Sequence, residues 1–96
     1  MAIVNYEAVM VLSTKDGEES MRALIEKFTD RIAKNGTVEK VDEWGKRKLA
    51  YEIDDETEGY YVLVEFSCEP DFPAELDRRF RITNGLLRTL IIKKEQ

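Results

Sequence analysis

Basic and aromatic residues share one short segment of the chain, and they are its first candidates for binding chemistry. Lys46, Arg47 and Lys48 are consecutive, with Trp44 before them and Tyr51 after them. Cationic side chains bind phosphate or carboxylate oxygens, and aromatic rings stack on unpaired bases or fill protein interfaces. These five residues are therefore predicted to contact nucleic acid or a protein partner.

A second basic segment runs from residue 78 to residue 94 and contains no Asp or Glu. Its six cations are Arg78, Arg79, Arg81, Arg88, Lys93 and Lys94. The whole chain has a net charge of −5, and five acids crowd residues 52–58, so its charges are segregated. Segregation of this kind allows anion binding on one side of an acidic protein. Charge alone leaves a solvated mosaic surface equally open.

Each candidate also has a plainer structural interpretation. Alternation along a strand places Arg47 on the opposite face from Lys46 and Lys48, so the three cannot meet one row of phosphates. Charges on an edge strand also prevent unwanted strand pairing. Trp44 and Tyr51 belong to residue types that pack in cores and protein interfaces more often than they stack on bases.

The cations of the second segment are expected to differ in role. Arg78, Arg79 and Arg81 span little more than one helical turn and point in different directions, so at least one covers the rim of the core with its charge in water. Arg88 lies between apolar residues of a strand, which requires an open face or an ion partner, and it is the better functional candidate. The two lysines near the C-terminal end either meet phosphate or keep the chain soluble.

The sequence lacks the residues that several kinds of catalytic and metal-binding chemistry require. The chain has no histidine and one cysteine, Cys68, which removes the commonest general base and any CxxC or soft-metal site. It has no glycine-rich phosphate loop, and Asp54-Asp55-Glu56 lacks the spacing of a calcium loop. We therefore predict no enzymatic activity, no cofactor, no metal and no small-molecule substrate. Small acyl-phosphate hydrolases of similar length need an Arg-bearing glycine loop that has no counterpart here.

Composition predicts one soluble domain covering residues 1–96, because two cores in this length would each be too thin. The first apolar stretch is too short to span a membrane and lacks the flanks of a signal peptide. The single cysteine fits a reducing compartment. We therefore expect a cytoplasmic protein.

Apolar periodicity predicts the first two elements that position the candidates. In the stretch Ile3–Leu12, an apolar face repeats with period two and consists of Val4, Tyr6, Ala8, Met10 and Leu12. The other face is only partly polar, which suits a central strand. Residues 21–32 carry apolar side chains three and four apart, the stripe of an amphipathic helix. Asn35-Gly36 is predicted to end this helix, because glycine accepts the left-handed conformation that helix ends often need.

The next two strands are predicted to form a hairpin. Thr37–Ile53 is predicted to be one long strand. Its apolar residues do not keep a single alternation throughout, since Val38 and Val41 are an odd number of positions apart, so a bulge is expected near Gly45. The acidic residues 52–58 and Gly59 are predicted to form its solvated loop. In the third strand, one face is lined by Tyr60, Val62, Val64 and Phe66, and the other by Tyr61 and Leu63.

A second helix and a fourth strand complete the pattern. Asp71 is predicted to cap the helix, with Pro73 in its first turn, and Asn84-Gly85 is predicted to end it. Leu86–Ile92 forms the last strand. The order β-α-β-β-α-β predicts an α+β, ferredoxin-like fold: a four-stranded antiparallel sheet of order 4-1-3-2 with both helices on one face. The second and fourth strands are then edges, and the other sheet face is uncovered.

A family resemblance runs nearly the length of the chain. Residues 43–53 read EWGKRKLAYEI, which resembles the E-x-W-G-x-R-x-L-A-Y-x-I signature of the bacterial ribosomal S-six family, with the glutamate one place nearer the tryptophan. The family is that of the sixth protein of the small ribosomal subunit. Asn5-Tyr6-Glu7, Gly59-Tyr60-Tyr61, Glu75-Leu76-Asp77-Arg78 and Leu87-Arg88 resemble its other characteristic segments.

This resemblance implies a non-catalytic component of the small subunit that binds 16S ribosomal RNA together with the eighteenth small-subunit protein, a small basic partner. The charge of the chain agrees with such a pairing. A protein of charge −5 binds the phosphate backbone poorly by itself, since salt-dependent affinity comes from clustered Lys and Arg. A basic partner would supply the missing positive charge.

Two alternative functions remain. An RNA-recognition module has the same order of elements and stacks bases on aromatic residues of its central strands. In this chain Glu58 replaces that motif's leading basic residue, and Val62 and Glu65 fall where its aromatic residues belong. A regulatory domain that binds a ligand or dimerises through its sheet is the other alternative, and no sequence feature favours it.

Overall fold

The element order and sheet topology match the prediction. The computed structural model describes residues 3–15, 17–53 and 55–94. Its elements are β1 (Val4–Leu12), α1 (Gly17–Asn35), β2 (Gly36–Ile53), β3 (Glu56–Cys68), α2 (Phe72–Arg81) and β4 (Leu86–Lys93). All paired strands are antiparallel, and the sheet order β2-β3-β1-β4 is the predicted 4-1-3-2. The edges of the sheet are therefore β2 and β4.

One core lies between one face of the sheet and the two helices. The alternation of β1 buries Tyr6, Ala8, Met10 and Leu12, as its period predicted. The buried residues that β3 and the helices add are Val62, Val64, Phe66, Cys68, Met21, Ile25, Phe28, Ile32, Phe72, Leu76 and Phe80. The rings of Phe28 and Phe80 join the two helices, with centroids 4.8 Å apart. Both helices cover the same sheet face, so the opposite face is uncovered.

The first helix ends where predicted, but for a different physical reason. The helix α1 ends at Asn35, yet Gly36 does not adopt a positive φ. A Cβ at Gly36 would lie 2.2 Å from the carbonyl oxygen of Ser67 and 2.8 Å from Cβ of Cys68. Glycine is needed because β2 begins directly against β3, and not because the helix end is left-handed.

The predicted end of the second helix was wrong by three residues. The helix α2 ends at Arg81, where the hydroxyl of Thr83 donates to the carbonyl of Arg79 at 2.6 Å and closes the last turn. Gly85 adopts a φ of 97° in the turn that leads into β4. At the other end Asp71 occupies the predicted cap position, but its side chain makes no capping hydrogen bond.

The acidic loop is shorter and less solvated than predicted. Glu56 begins β3 and is only 8% exposed, because its carboxylate accepts hydrogen bonds from Ser13 Oγ at 2.8 and 2.9 Å and from the Thr14 backbone N–H at 3.3 Å. Gly59 lies inside the strand, where a Cβ would stand 2.4 Å from Val11 Cγ1. The loop is therefore tied to the end of β1, and Asp54 lies outside the described residues.

Candidate nucleic-acid and partner interface

A bulge in β2 sets the orientation of Trp44. The pairing register of β2 with β3 shifts between Glu43 and Gly45, and Gly45 has a φ of 86°. The predicted bulge is therefore confirmed. It places the Trp44 ring against Tyr61 on the uncovered face, with centroids 6.2 Å apart and planes 14° apart. Trp44 Nε1 donates to the Asp42 carboxylate at 3.1 Å, and the residue is 43% exposed.

The three consecutive cations of β2 divide between the two faces, as predicted. Arg47 pairs with Gly59, whereas Lys46 pairs with Tyr60, which packs on the core. Directly opposed residues of antiparallel strands share a face, so Arg47 lies on the uncovered side and Lys46 on the helix side. No carboxylate of residues 3–15, 17–53 or 55–94 forms an ion pair with these cations.

Arg88 lies on the uncovered face, which is one of the two environments predicted for it, the other being an ion partner. Its register partner in β1 is Val11, which also faces Tyr61 of β3. Arg88 Nη1 donates to the hydroxyl of Tyr51 at 3.1 Å. Tyr51 belongs to the part of β2 between Lys48 and Ile53 where the register shifts again, and it is 62% exposed. The structure thus brings together two predicted residues from opposite edges of the sheet.

These contacts define a common surface at one end of the uncovered face, which we call the aromatic–arginine surface. Its residues are Trp44, Arg47, Tyr51, Tyr61 and Arg88. Sequence reasoning missed Tyr61 as a functional candidate, although the alternation of β3 had placed it on the side away from the core. It also missed Asp42, because nothing in the sequence marks the hydrogen bond from Trp44.

The three arginines of α2 are held by carboxylates of the same helix. Arg78 and Arg79 both contact Glu75 Oε1, at 2.8 and 3.0 Å, and Arg81 contacts Asp77 at 3.0 Å. The hydrogen bond from Arg78 lowers the pKa of Glu75 to about 2. Because α2 lies on the helix side, the structure does not bring these arginines together with Arg47 and Arg88. Their spacing from Glu75 and Asp77 was a signal for this pairing.

The two C-terminal lysines face opposite sides of the sheet. Lys93 pairs with Tyr6 on the helix side, whereas the ammonium of Lys94 forms an ion pair with Glu65. That hydrogen bond lowers the pKa of Glu65 and raises the pKa of Lys94. The positive charge of Lys94 is therefore already compensated, in contrast to that of Arg47.

The helix side of β2 borders a cleft of about 380 Å³ next to α1. Its lining includes Met21, Ile25, Glu43, Lys46 and Tyr60. The Tyr60 hydroxyl donates to Glu43 Oε1 at 2.7 Å, and this bond raises the pKa of Tyr60. This hydrogen bond holds the Glu43 carboxylate at the rim of the cleft, which Lys46 also lines.

The structure argues against the alternative that this chain is an RNA-recognition module. Val62 is fully buried beneath the helices, and Glu65 is ion-paired with Lys94. Neither position where that motif carries an aromatic residue offers a ring to a base. In the described part of the chain, no group of three or more His, Cys, Asp or Glu residues could hold a metal ion. No helix there is long and apolar enough to cross a membrane.

The topology and the uncovered face define an α+β protein of the ferredoxin-like class. Residues 5–93 match the family model of ribosomal protein S6. Small ribosomal subunit protein bS6 of Clostridium perfringens strain SM101 is 53% identical over 92 residues, which cover 95% of this chain and 97% of that protein. The bS6 protein of Clostridium novyi strain NT is 48% identical over 93 residues, covering 96% and 98%.

A solved structure agrees with these sequence relatives. The crystal structure of 30S ribosomal protein S6 from Thermotoga maritima has a TM-score of 0.91 to this chain at 28% identity, covering 97% of this chain and 89% of that one. The chain belongs to the ribosomal protein S6 family, and so to the proteins of the small ribosomal subunit. This is a family of structural ribosomal proteins and not of enzymes.

Proposed function

We propose that this chain binds 16S ribosomal RNA in the small subunit jointly with the eighteenth small-subunit protein, and that the aromatic–arginine surface makes the contact. One observation carries the proposal. Arg47 and Arg88 lie on the same uncovered face, and neither guanidinium has an ion pair with a described carboxylate. A guanidinium in this state can bind a phosphate without first breaking an ion pair with a carboxylate of its own chain.

The charge balance supports a joint interface. Two uncompensated arginines on a chain of net charge −5 provide few phosphate contacts, and the affinity for RNA rises steeply with their number. A basic partner seated beside them would add cations and neutralise nearby acids. RNA affinity of the isolated chain is therefore expected to be low, and assembly is expected to need all three components.

The aromatic residues support contact with a protein partner more than with bases. One face of the Trp44 ring already packs on Tyr61, and its Nε1 already donates to Asp42. The remaining surface is a flat apolar patch beside a satisfied polar group, which is typical of protein interfaces. We infer that Trp44 contacts the partner while the two arginines approach the RNA.

Co-sedimentation of purified components with 16S RNA tests this function. The native chain should enter the RNA complex when the basic partner is present and should stay largely free without it. Arg47→Glu should reduce the bound fraction by about tenfold, because a like charge then faces phosphate. Lys27→Glu, an equal charge change on the exposed side of α1, is the matched control. Equal binding of Arg47→Glu and native chain, or tight RNA binding without the partner, would contradict the proposal.

A further inference from the structure

The outer edge of β4 is free and regular. This strand is the last in the sheet order, so no strand of the described residues lies on its side away from β1. Its pairing with β1 keeps one register from Arg88 to Lys93, whereas the pairing of β2, the other edge strand, shifts at three places. Proteins usually guard sheet edges with bulges, prolines or charges. Residues 89–92 have none of these protections.

Three residues of β4 direct their backbone groups outward. The Lys94 N–H donates to the Asn5 carbonyl at 2.8 Å, so the backbone of Lys94 bonds inward. In an antiparallel pair, residues that bond to the neighbouring strand alternate with residues that do not. Because the register is unbroken, Lys93, Ile91 and Thr89 point their N–H and C=O groups away from β1. These groups are available to an added strand.

Apolar side chains lie on both sides of this edge. Leu90 and Ile92 lie on the uncovered face and are 49% and 42% exposed. On the helix side, a groove of about 430 Å³ separates β4 from α2, and its lining includes Pro73, Ala74 and Ile91. Sheet edges that bind extended segments gain affinity from backbone hydrogen bonds and specificity from pockets for alternate side chains. The β4 edge has both features.

Lys93 is the cation that this edge presents to an added strand. It lies on the helix side, lines the groove and has no ion pair within the described ranges. Two neighbouring cations are engaged elsewhere, since Arg88 donates to Tyr51 across the sheet and Lys94 is paired with Glu65.

Two carboxylates lie near the edge, and neither compensates Lys93. Asp77 also lines the groove, but it already forms an ion pair with Arg81 at 3.0 Å. Glu7 is the register partner of Ile92, so it lies on the uncovered face, away from Lys93. The groove therefore keeps one positive charge without a partner, and a carboxylate is the complementary group.

We propose that the β4 edge binds an extended segment of another protein as a fifth, antiparallel strand, with an acid opposite Lys93 and apolar residues opposite residues 90–92. In this register the acid enters the groove beside the Lys93 ammonium. The apolar residues cover Leu90 and Ile92 on one face and fill the groove on the other. The occupant is neither RNA nor the basic partner, so this binding goes beyond the proposed function and does not depend on it.

Charge favours this occupant over two others. A basic segment would bring a second cation against Lys93. A second copy of β4, paired about a two-fold axis through Ile91, would place Thr89 opposite Lys93 and Lys94 opposite Arg88. Neither arrangement supplies a carboxylate to Lys93, and the second brings two cations together.

Titration of the isotope-labelled full chain with two capped peptides, followed by NMR, tests the proposal. The acid peptide is Glu-Val-Val-Val-Thr-Ser, and the matched control replaces its Glu by Lys. The acid peptide should bind with a Kd of about 1 mM and should slow hydrogen exchange at the N–H groups of Thr89, Ile91 and Lys93. The lysine peptide should bind about fivefold more weakly, because it loses the ion pair.

Exchanging the charge at Lys93 provides the decisive measurement. Lys93→Glu should reverse the preference, so that the lysine peptide binds more tightly than the acid peptide. Lys27→Glu is the control and should keep the native preference, while dispersed NMR spectra confirm that both variants are folded. The proposal is overturned if the acid peptide does not bind at about 5 mM, if the native chain binds both peptides equally, or if Lys93→Glu leaves the preference unchanged.

The same three N–H groups identify other occupants of the edge. Their exchange should not depend on chain concentration and should not slow when the basic partner or 16S RNA is added. Slower exchange at high chain concentration would show that a second copy occupies the edge. Slower exchange with the partner or with RNA would show that one of these occupies it. Either result would overturn the assignment of an acidic segment.

Discussion

Tyr51 and Arg88 meet across the uncovered face of the sheet although they are 37 positions apart in the chain. Tyr51 comes from one edge strand and Arg88 from the other, with β3 and β1 between them. The contact exists because β2 departs from its register after Lys48 and lets its aromatic side chain reach across the sheet. The neutral hydroxyl of Tyr51 accepts this hydrogen bond from the Arg88 guanidinium, so the positive charge of Arg88 stays uncompensated.

A salt titration should reveal the role of Arg88 in RNA assembly. Arg88→Gln should lower the slope of log affinity against log salt by about 1, because one phosphate contact is lost. Tyr51→Phe removes the hydrogen bond from Arg88 without changing any charge, so it should leave the slope unchanged. The readout is filter binding of the complex that contains the basic partner, at several salt concentrations. An unchanged slope for Arg88→Gln would exclude a direct phosphate contact.

Replacement of Glu56 should destabilise the fold more than replacement of any exposed acid nearby. Glu56→Ala leaves the Ser13 hydroxyl and the Thr14 N–H without their acceptor in a half-buried place, at a cost of about 2 kcal/mol in the free energy of unfolding. Urea denaturation measures the loss. Glu58→Ala, at an exposed position of the same strand, is the control and should change stability by less than about 0.5 kcal/mol. Equal effects of the two changes would refute the anchoring role.

The ionised carboxylate of Glu75 should stabilise the folded chain near neutral pH, and this stabilisation should disappear in acid. Its pKa is about 2 in the folded chain, below the ordinary value of 4.5, because Arg78 and then Arg79 donate hydrogen bonds to it. A depressed folded pKa stabilises the fold above the unfolded pKa, and this contribution is lost as pH falls from about 4.5 to about 2.

Thermal unfolding of the native chain and of Glu75→Gln between pH 6 and pH 2 checks this expectation. The native chain should melt slightly higher at pH 6, and the two curves should converge near pH 2. The effect is expected to be small, since the carboxylate is solvent-exposed and screened. A difference that grows toward pH 2 would contradict the assignment of the lowered pKa to the folded state.

Replacement by alanine should lower the stability of the fold more at Gly36 than at Gly45. Gly36→Ala should cost about 3 kcal/mol, because the new Cβ collides with the backbone carbonyl of Ser67. Gly45→Ala should cost about 1 kcal/mol, since its Cβ meets nothing within 4 Å and only the positive φ is unfavourable. Chemical denaturation of both variants gives the comparison. A larger loss for Gly45→Ala would mean that the bulge, and not the tight β2–β3 contact, is the sensitive point.

Periodicity predicted the elements because it depends on local geometry. The alternation of Ile3–Leu12 and the stripe of residues 21–32 assigned the core face of β1 and α1 correctly, since burial selects the same spacing that the backbone imposes. The errors occurred at element ends. The helix α2 ends before Asn84-Gly85, where the Thr83 hydroxyl bonds to the last turn, and Glu56 is buried by its hydrogen bond with Ser13 and not solvated in a loop. Both differences result from specific hydrogen bonds, which the spacing of apolar residues does not reveal.

The sequence by itself determined which face of β1, β3 and α1 is buried, the order of elements, and the family to which the chain belongs. Only the tertiary structure decided which charges are neighbours. Arg47 and Arg88 share an open face, whereas Lys94 is neutralised by Glu65, 29 positions away. The physical reason is that the pairing register of a strand and its bulges set the lateral neighbours of each side chain. The extra residue Trp44, between Glu43 and Gly45, reverses the facing of the side chains that follow it in β2 as far as Lys48.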